Sequence, residues 1–117
     1  GWYEQEKNHR WTSEKADITF FSEKAQDYLL TVECLTYSNS GNTHVLYNGE
    51  EIALWDKNTK THKESVILPV QFYDKSGKQT VTFITDDAKS PLESGESKDS
   101  RVLGISVKSM TFNVQKP

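Results

Sequence analysis

Tyr28-Leu29-Leu30-Thr31-Val32-Glu33-Cys34-Leu35-Thr36-Tyr37 is the stretch on which the fold turns. β-branched and aromatic residues dominate it, and side chains along an extended chain point alternately to two faces. Tyr28, Leu30, Val32 and Cys34 share one face as a nearly unbroken apolar row. Leu29, Thr31, Glu33 and Leu35 share the other, which is partly polar, as suits the outside of a sheet. The run reads as a half-buried strand. Cys34, the only cysteine, reads as a small buried hydrophobe rather than a reactive thiol, and it has no partner for an internal disulfide.

Strand signals continue on both sides. Upstream, Ser13–Lys15 turns into a first strand at Ala16–Phe21. Downstream, Ser38–Asn42 is a turn by composition, and Thr43–Tyr47 and Glu51–Leu54 flank Asn48-Gly49. Both of those residues tolerate positive φ, so the pair predicts a type I′ hairpin. A polar loop, Asp56–Lys63, leads to a strand at Glu64–Tyr73, where Pro69 lacks a ladder donor and calls for a sheet edge or a bulge. Asp74–Lys78 is a hairpin loop before Gln79–Thr85, and Asp86–Ser100 is a long irregular connection. In the last strand, from Arg101 to Val114, Leu103, Ile105 and Val107 alternate on one parity, Met110, Phe112 and Val114 on the other. A bulge near Lys108-Ser109 puts both sets into one core.

Seven or eight short strands without a helical period predict an all-β, antiparallel β-sandwich, of jelly-roll type, with a closed barrel as the rival. At 117 residues the chain is the size of one domain, residues 1–117. Its abrupt start, Gly1-Trp2-Tyr3, leads us to expect a domain excised from a larger protein. The last few residues, Lys57–Lys63 and Pro91–Ser100 are expected to be mobile. No apolar run approaches the length of a membrane-spanning helix. The net charge of -3 and the lack of a basic stripe argue against nucleic acid as a partner.

Chemistry-bearing motifs are sparse. His9, His44 and His62 fall in different elements without metal-ligand spacing, His44 reading as a surface strand residue. No serine sits on a nucleophile elbow, and the pairs Glu50-Glu51 and Asp86-Asp87 read as solvated turn acids. No catalytic residue is assigned, and the domain is read as a non-enzyme. The one cofactor considered is a structural calcium, with Asp86, Asp87 and Asp99 as weak candidates around the long connection.

Three tryptophans and five tyrosines are a large aromatic set for so polar a chain. Flat rings stack on sugars, and their polar rims add hydrogen bonds. Trp55, between a strand and a polar loop, is the first choice for an exposed platform, with Tyr47, Tyr37 and Tyr3 extending it. Trp2 and Trp11 are equally readable as plugs in an open end of the sandwich.

Gly1-Trp2 with Glu4, then Arg10-Trp11-Thr12, and at the far end Asp99-x-Arg101-x-Leu103-Gly104-Ile105-x-Val107, form an ordered set of motifs. The Asn48-Gly49 hairpin and Ala88-x-x-Pro91 lie between them. This order resembles the accessory, lectin-like β-sandwich domain of bacterial membrane-associated or cell-envelope glycosyltransferases and polysaccharide-assembly proteins. The resemblance implies a non-catalytic module for a surface glycan or polysaccharide, attached to the remainder of a larger membrane-associated protein at the cell envelope or the extracytoplasmic face of the membrane. It singles out Trp2, Arg10, Trp11, Asp99, Arg101 and Gly104, chiefly as structural residues. Arg10 or Arg101 would form a forked pair with Asp99, Trp11 would cover an arginine stem, and Gly104 would admit a neighbouring ring. A structural or protein-interaction sandwich without its own ligand is the alternative, and a small glycan-active hydrolase the more distant one.

Overall fold

Alternating burial along the strands dictates two layers. The computed structural model describes residues 1–114, so the expectation for the last residues lies outside the described part. Eight strands occur in chain order: β1 (Arg10–Trp11), β2 (Lys15–Phe21), β3 (Tyr28–Thr36), β4 (Thr43–Tyr47), β5 (Glu50–Trp55), β6 (His62–Leu68), β7 (Lys78–Thr85) and β8 (Ile105–Val114). They form two antiparallel four-stranded sheets, β1-β8-β3-β6 and β2-β7-β4-β5. This is the jelly-roll order of a β-sandwich, and no closed barrel forms.

Between the sheets, Tyr28, Leu30, Val32 and Cys34 of β3 face Val45 and Tyr47 of β4 and Val81 and Phe83 of β7. Burial pushes the Cys34 thiol up to about 12, with Glu64 and Glu33 adding to the effect, so it packs as a hydrophobe. The β8 parity switch resolves for Met110 and Phe112, whereas Val114, expected in the same core, is 49% exposed at the end of the strand. Cys34 pairs with Val107 but Glu33 with Ser109, so Lys108 is the extra residue of a bulge, and Met110 and Phe112 return to the core. Asn48 and Gly49 both have positive φ, as the hairpin requires.

Strand bounds are corrected at both ends of β6, and two connections are held by hydrogen bonds. β6 is an edge strand, but it stops at Leu68, and Pro69 precedes a 3-10 turn, Val70–Phe72, because proline cannot extend the ladder. Pro91–Ser100 is a hydrogen-bonded turn: Leu92 N–H donates to Asp99 O and Glu96 N–H to Pro91 O. There Ser90 N–H donates to the Glu93 carboxylate while Glu93 N–H donates to Ser90 Oγ, a reciprocal cap spelled by Ser90-x-x-Glu93. The expected polar loop through Lys63 is shorter, since His62 and Lys63 already pair with β3 in β6, and it is tied at its start, where Lys57 N–H donates to Asn42 Oδ1 and Asn58 N–H to Thr36 Oγ1.

The first twelve residues form a hairpin on the β1 side. Glu6 and His9 exchange backbone hydrogen bonds, Tyr3 N–H donates to Trp11 O, and Trp2 bridges Thr12. Thr12 is buried, its N–H donating to Ile105 O and its Oγ1 accepting from Ile105 N–H. This hairpin spans the lateral opening between β8 of one sheet and β2 of the other.

Candidate functional site

The site follows from a mismatch of lengths. β1 pairs with Ser106 and Val107 only, so β8 beyond them has no neighbouring strand on that side. β2 is the edge of the facing sheet. Between these two edges, under the N-terminal hairpin, lies a cleft of about 460 Å³. Three segments far apart in sequence wall it: Trp2 to Arg10, Asp17 to Thr19, and Val107 to Met110.

Trp2 anchors the cleft. Its indole N–H donates to Asp17 O at 2.8 Å, and its ring meets core Phe83 edge-on, with centroids 6.4 Å apart at 84°. The Arg10 guanidinium lies 5.9 Å from the Trp2 ring centroid, and its Nε donates to Tyr3 O at 2.5 Å. That bond orients the planar group and leaves its terminal nitrogens for solvent or a ligand. Gln5 and Asn8 bring amides that both donate and accept, and Asp17 brings a carboxylate whose Oδ1 accepts from Thr82 Oγ1 at 2.7 Å. His9 is held by Ser106 Oγ at 2.8 Å from its Nδ1. The bulge at Lys108 turns that residue and Ser109 outward as the far wall, while Ile18, Val107 and Met110 supply apolar surface. Such a surface can stack a flat apolar ring face and satisfy paired hydroxyls around its rim.

The residues anticipated from sequence separate into two groups. Trp55, first choice for an exposed platform, is only 7% exposed, its ring tilted 37° against Phe83 at 5.7 Å. It shares the inward face of β4–β5, so stacking on a sugar is closed to it as it stands. Tyr47 is fully buried, its hydroxyl donating to Gln79 Oε1 at 3.2 Å, and burial pushes it up to about 12. Tyr37 is also buried, with its hydroxyl donating to Glu96 Oε1 at 2.8 Å. Tyr3 is half-buried, its hydroxyl donating to Val102 O at 2.9 Å. These four aromatics serve packing, and none of them lines the cleft.

The terminal motifs meet in space. Arg101 grips Asp99 as a fork, through Nε and through Nη2 at 2.8 Å, and this guanidinium holds the Asp99 carboxyl below its usual range. Tyr3, not Trp11, covers Arg101, at 5.4 Å, and Glu6 approaches Arg101 Nη2 at 3.7 Å. Trp11 instead packs edge-on against His9 and Tyr37. At Gly104 the atoms in closest approach belong to backbone and hydroxyl groups, not to a ring. An added Cβ there would lie 2.5 Å from Thr12 Oγ1 and 2.7 Å from both Ser13 O and Thr85 Oγ1.

For calcium, no cluster of three or more His, Cys, Asp or Glu side chains suited to a metal forms among the described residues. Asp86 instead accepts from His44 Nε2 at 3.0 Å, while His44 Nδ1 faces Glu51 at 2.6 Å. Glu51 first, then Asp86, raises the His44 imidazole above its ordinary value. Asp99 is committed to Arg101.

Gln5, Asn8, Asp17, Thr19, Lys108 and Ser109 were not anticipated as site residues. A local signal existed for the first two, since both amides fall between Trp2 and Trp11 and close to Arg10.

No protein-family model matches the chain, and no curated protein matches it. Solved structures do. The C-terminal domain of EclA, described as a sugar-binding protein, aligns with a TM-score of 0.54 at 11% identity over 84% of this chain. The chain spans 65% of that protein's length. A family 35 carbohydrate binding module from an environmental isolate aligns over 100% of this chain and 80% of its own, with a TM-score of 0.52 and 14% identity. At such identities the likeness is one of fold: this chain shares its jelly-roll sandwich with modules described as binding sugars.

Proposed function

We propose that this chain is a non-catalytic carbohydrate-binding module that holds a glycan in the cleft between Trp2, Arg10 and the edges of β2 and β8. The observation that carries the reading is the meeting of an anchored indole with two amides, a guanidinium and a carboxylate in one open cleft. Those are the groups that sugar rings need: an apolar face to stack on and bidentate partners for neighbouring hydroxyls. A sandwich with Trp2 and Trp11 fully buried and a featureless face near Trp55 would instead favour a purely structural module; Trp55 is buried, but Trp2 and Trp11 are only half-buried. The fold shared with sugar-binding modules supports the same choice.

The wider setting is that of an accessory module of a bacterial cell-envelope glycosyltransferase or polysaccharide-assembly protein, acting at the extracytoplasmic face on a surface polysaccharide. Its support is the ordered motif set from Trp2 to Gly104. In that role the module raises the local concentration of acceptor glycan beside its neighbouring domain. A glycan array followed by titration calorimetry tests the binding. Arg10→Ala and Asn8→Ala should each weaken affinity about tenfold, with stability unchanged in Asn8→Ala and slightly lowered in Arg10→Ala, which also loses the bond to Tyr3 O. Absence of binding to every glycan at millimolar concentration would refute the reading.

A further inference from the structure

A second cleft, of about 410 Å³, opens where β2 ends. Phe21 lines it and is 80% exposed, the most exposed of the large apolar side chains described. Around it stand Glu23, Tyr73, Lys75 and Ser76. The frame is tied down: Ser22 N–H donates to Gly77 O at 2.9 Å, Tyr73 Oη–H to Ser22 O at 2.6 Å, and Ser76 N–H to Asp74 Oδ1 at 2.9 Å. An exposed ring on a fixed frame, beside an acid, an amine and hydroxyls, repeats the chemistry of the Trp2 cleft.

The two clefts share a wall. β2 contributes Asp17 and Thr19 to the first and Phe21 to the second. At strand period, these three side chains project from one face of the edge strand in a single row. From Asp17 to Phe21 the row covers about 13 Å at the rise of a strand. We propose, resting on the glycan-binding reading of the first cleft, that the ligand is an extended glycan chain lying along β2. Trp2 and Arg10 hold one part of it, Asp17 and Thr19 meet the hydroxyls of the middle, and Phe21 stacks on a ring further along. The module thus recognises the interior of a polymer rather than a terminal sugar.

The test is calorimetric titration of the whole chain with cello-, chito- and alginate-derived oligosaccharides, each as disaccharide and hexasaccharide, against wild type, Phe21→Ala and Phe21→Tyr. The expected result is a hexasaccharide bound roughly tenfold more tightly than its disaccharide. Phe21→Ala should remove that advantage without changing disaccharide affinity, and Phe21→Tyr should restore it. Its exposure means that Phe21→Ala should leave folding intact. Equal affinity for both lengths, or a neutral Phe21→Ala, overturns the extended-chain inference and leaves glycan binding standing. Binding to none of the six probes overturns both. Self-association that Phe21→Ala abolishes, without any length effect, assigns Phe21 to a contact between copies and also overturns the inference.

Discussion

Two tryptophans reach the same core residue from different edges of one sheet, and only one leaves an opening. Trp55, from edge strand β5, lies tilted on Phe83 and is sealed from solvent. Trp2, tied to edge strand β2, meets Phe83 edge-on and stays half-exposed beside a cleft. The difference comes from the neighbours. On the Trp55 side the seven-residue β6 of the other sheet packs beside β5, whereas on the Trp2 side β1 is two residues long and covers little of β8. A tryptophan stays open to solvent where its edge of the sandwich lacks a covering strand.

The sharpest way to break this comparison is to truncate both rings. Trp55→Ala should cost about 3–5 kcal/mol, because a buried aromatic is lost and a cavity remains. Urea denaturation would measure the loss, and glycan affinity of the folded fraction should stay unchanged. Trp2→Ala should cost clearly less, since part of its surface is already hydrated, yet should abolish detectable glycan binding. If Trp55→Ala were the variant that selectively lost binding, the two roles would be reversed. Gly104→Ala comes next, at about 1–3 kcal/mol by urea denaturation, since its Cβ would collide with Thr12, Ser13 and Thr85 and press on the strip that joins the hairpin to the sandwich. A neutral result would mean that this joint is soft.

The smallest effect concerns pH and sharpens the comparison by touching neither tryptophan. Glu51 and Asp86 raise the folded-state value of His44, so the protonated ring favours the folded state. This stability is fully present below the ordinary value of about 6.5 and is lost as pH rises through the raised folded value. Being a surface cluster, it should contribute less than about 1 kcal/mol. Denaturation midpoints across that range should fall with rising pH in the wild type and stay flat in His44→Gln. Glycan affinity should not follow this transition.

The strands were legible because their signals are local. Alternation in Tyr28–Thr36, the Asn48-Gly49 turn and the parity switch on β8 each depend on a few adjacent residues. The Asp99–Arg101 fork was legible for the same reason, its partners lying two residues apart. Trp55 was misplaced because a polar loop follows it in sequence, and adjacency to a loop says nothing about which sheet covers a ring. Tyr47 is different: its parity with Thr43 and Val45 already placed it on the core face. The cleft itself was out of reach, since Trp2 and Lys108 become neighbours only through the closure of the whole sandwich.

Lys108 has one more consequence, best put in terms of insertion and deletion. Were it removed, Val107 would precede Ser109 directly, and the inward series Ile105, Val107, Met110, Phe112 would run in unbroken alternation. The core therefore has no need of this residue. The bulge is an excess of one residue in the wall of the cleft, so deleting Lys108 should shorten that wall while preserving the alternation of the core behind it.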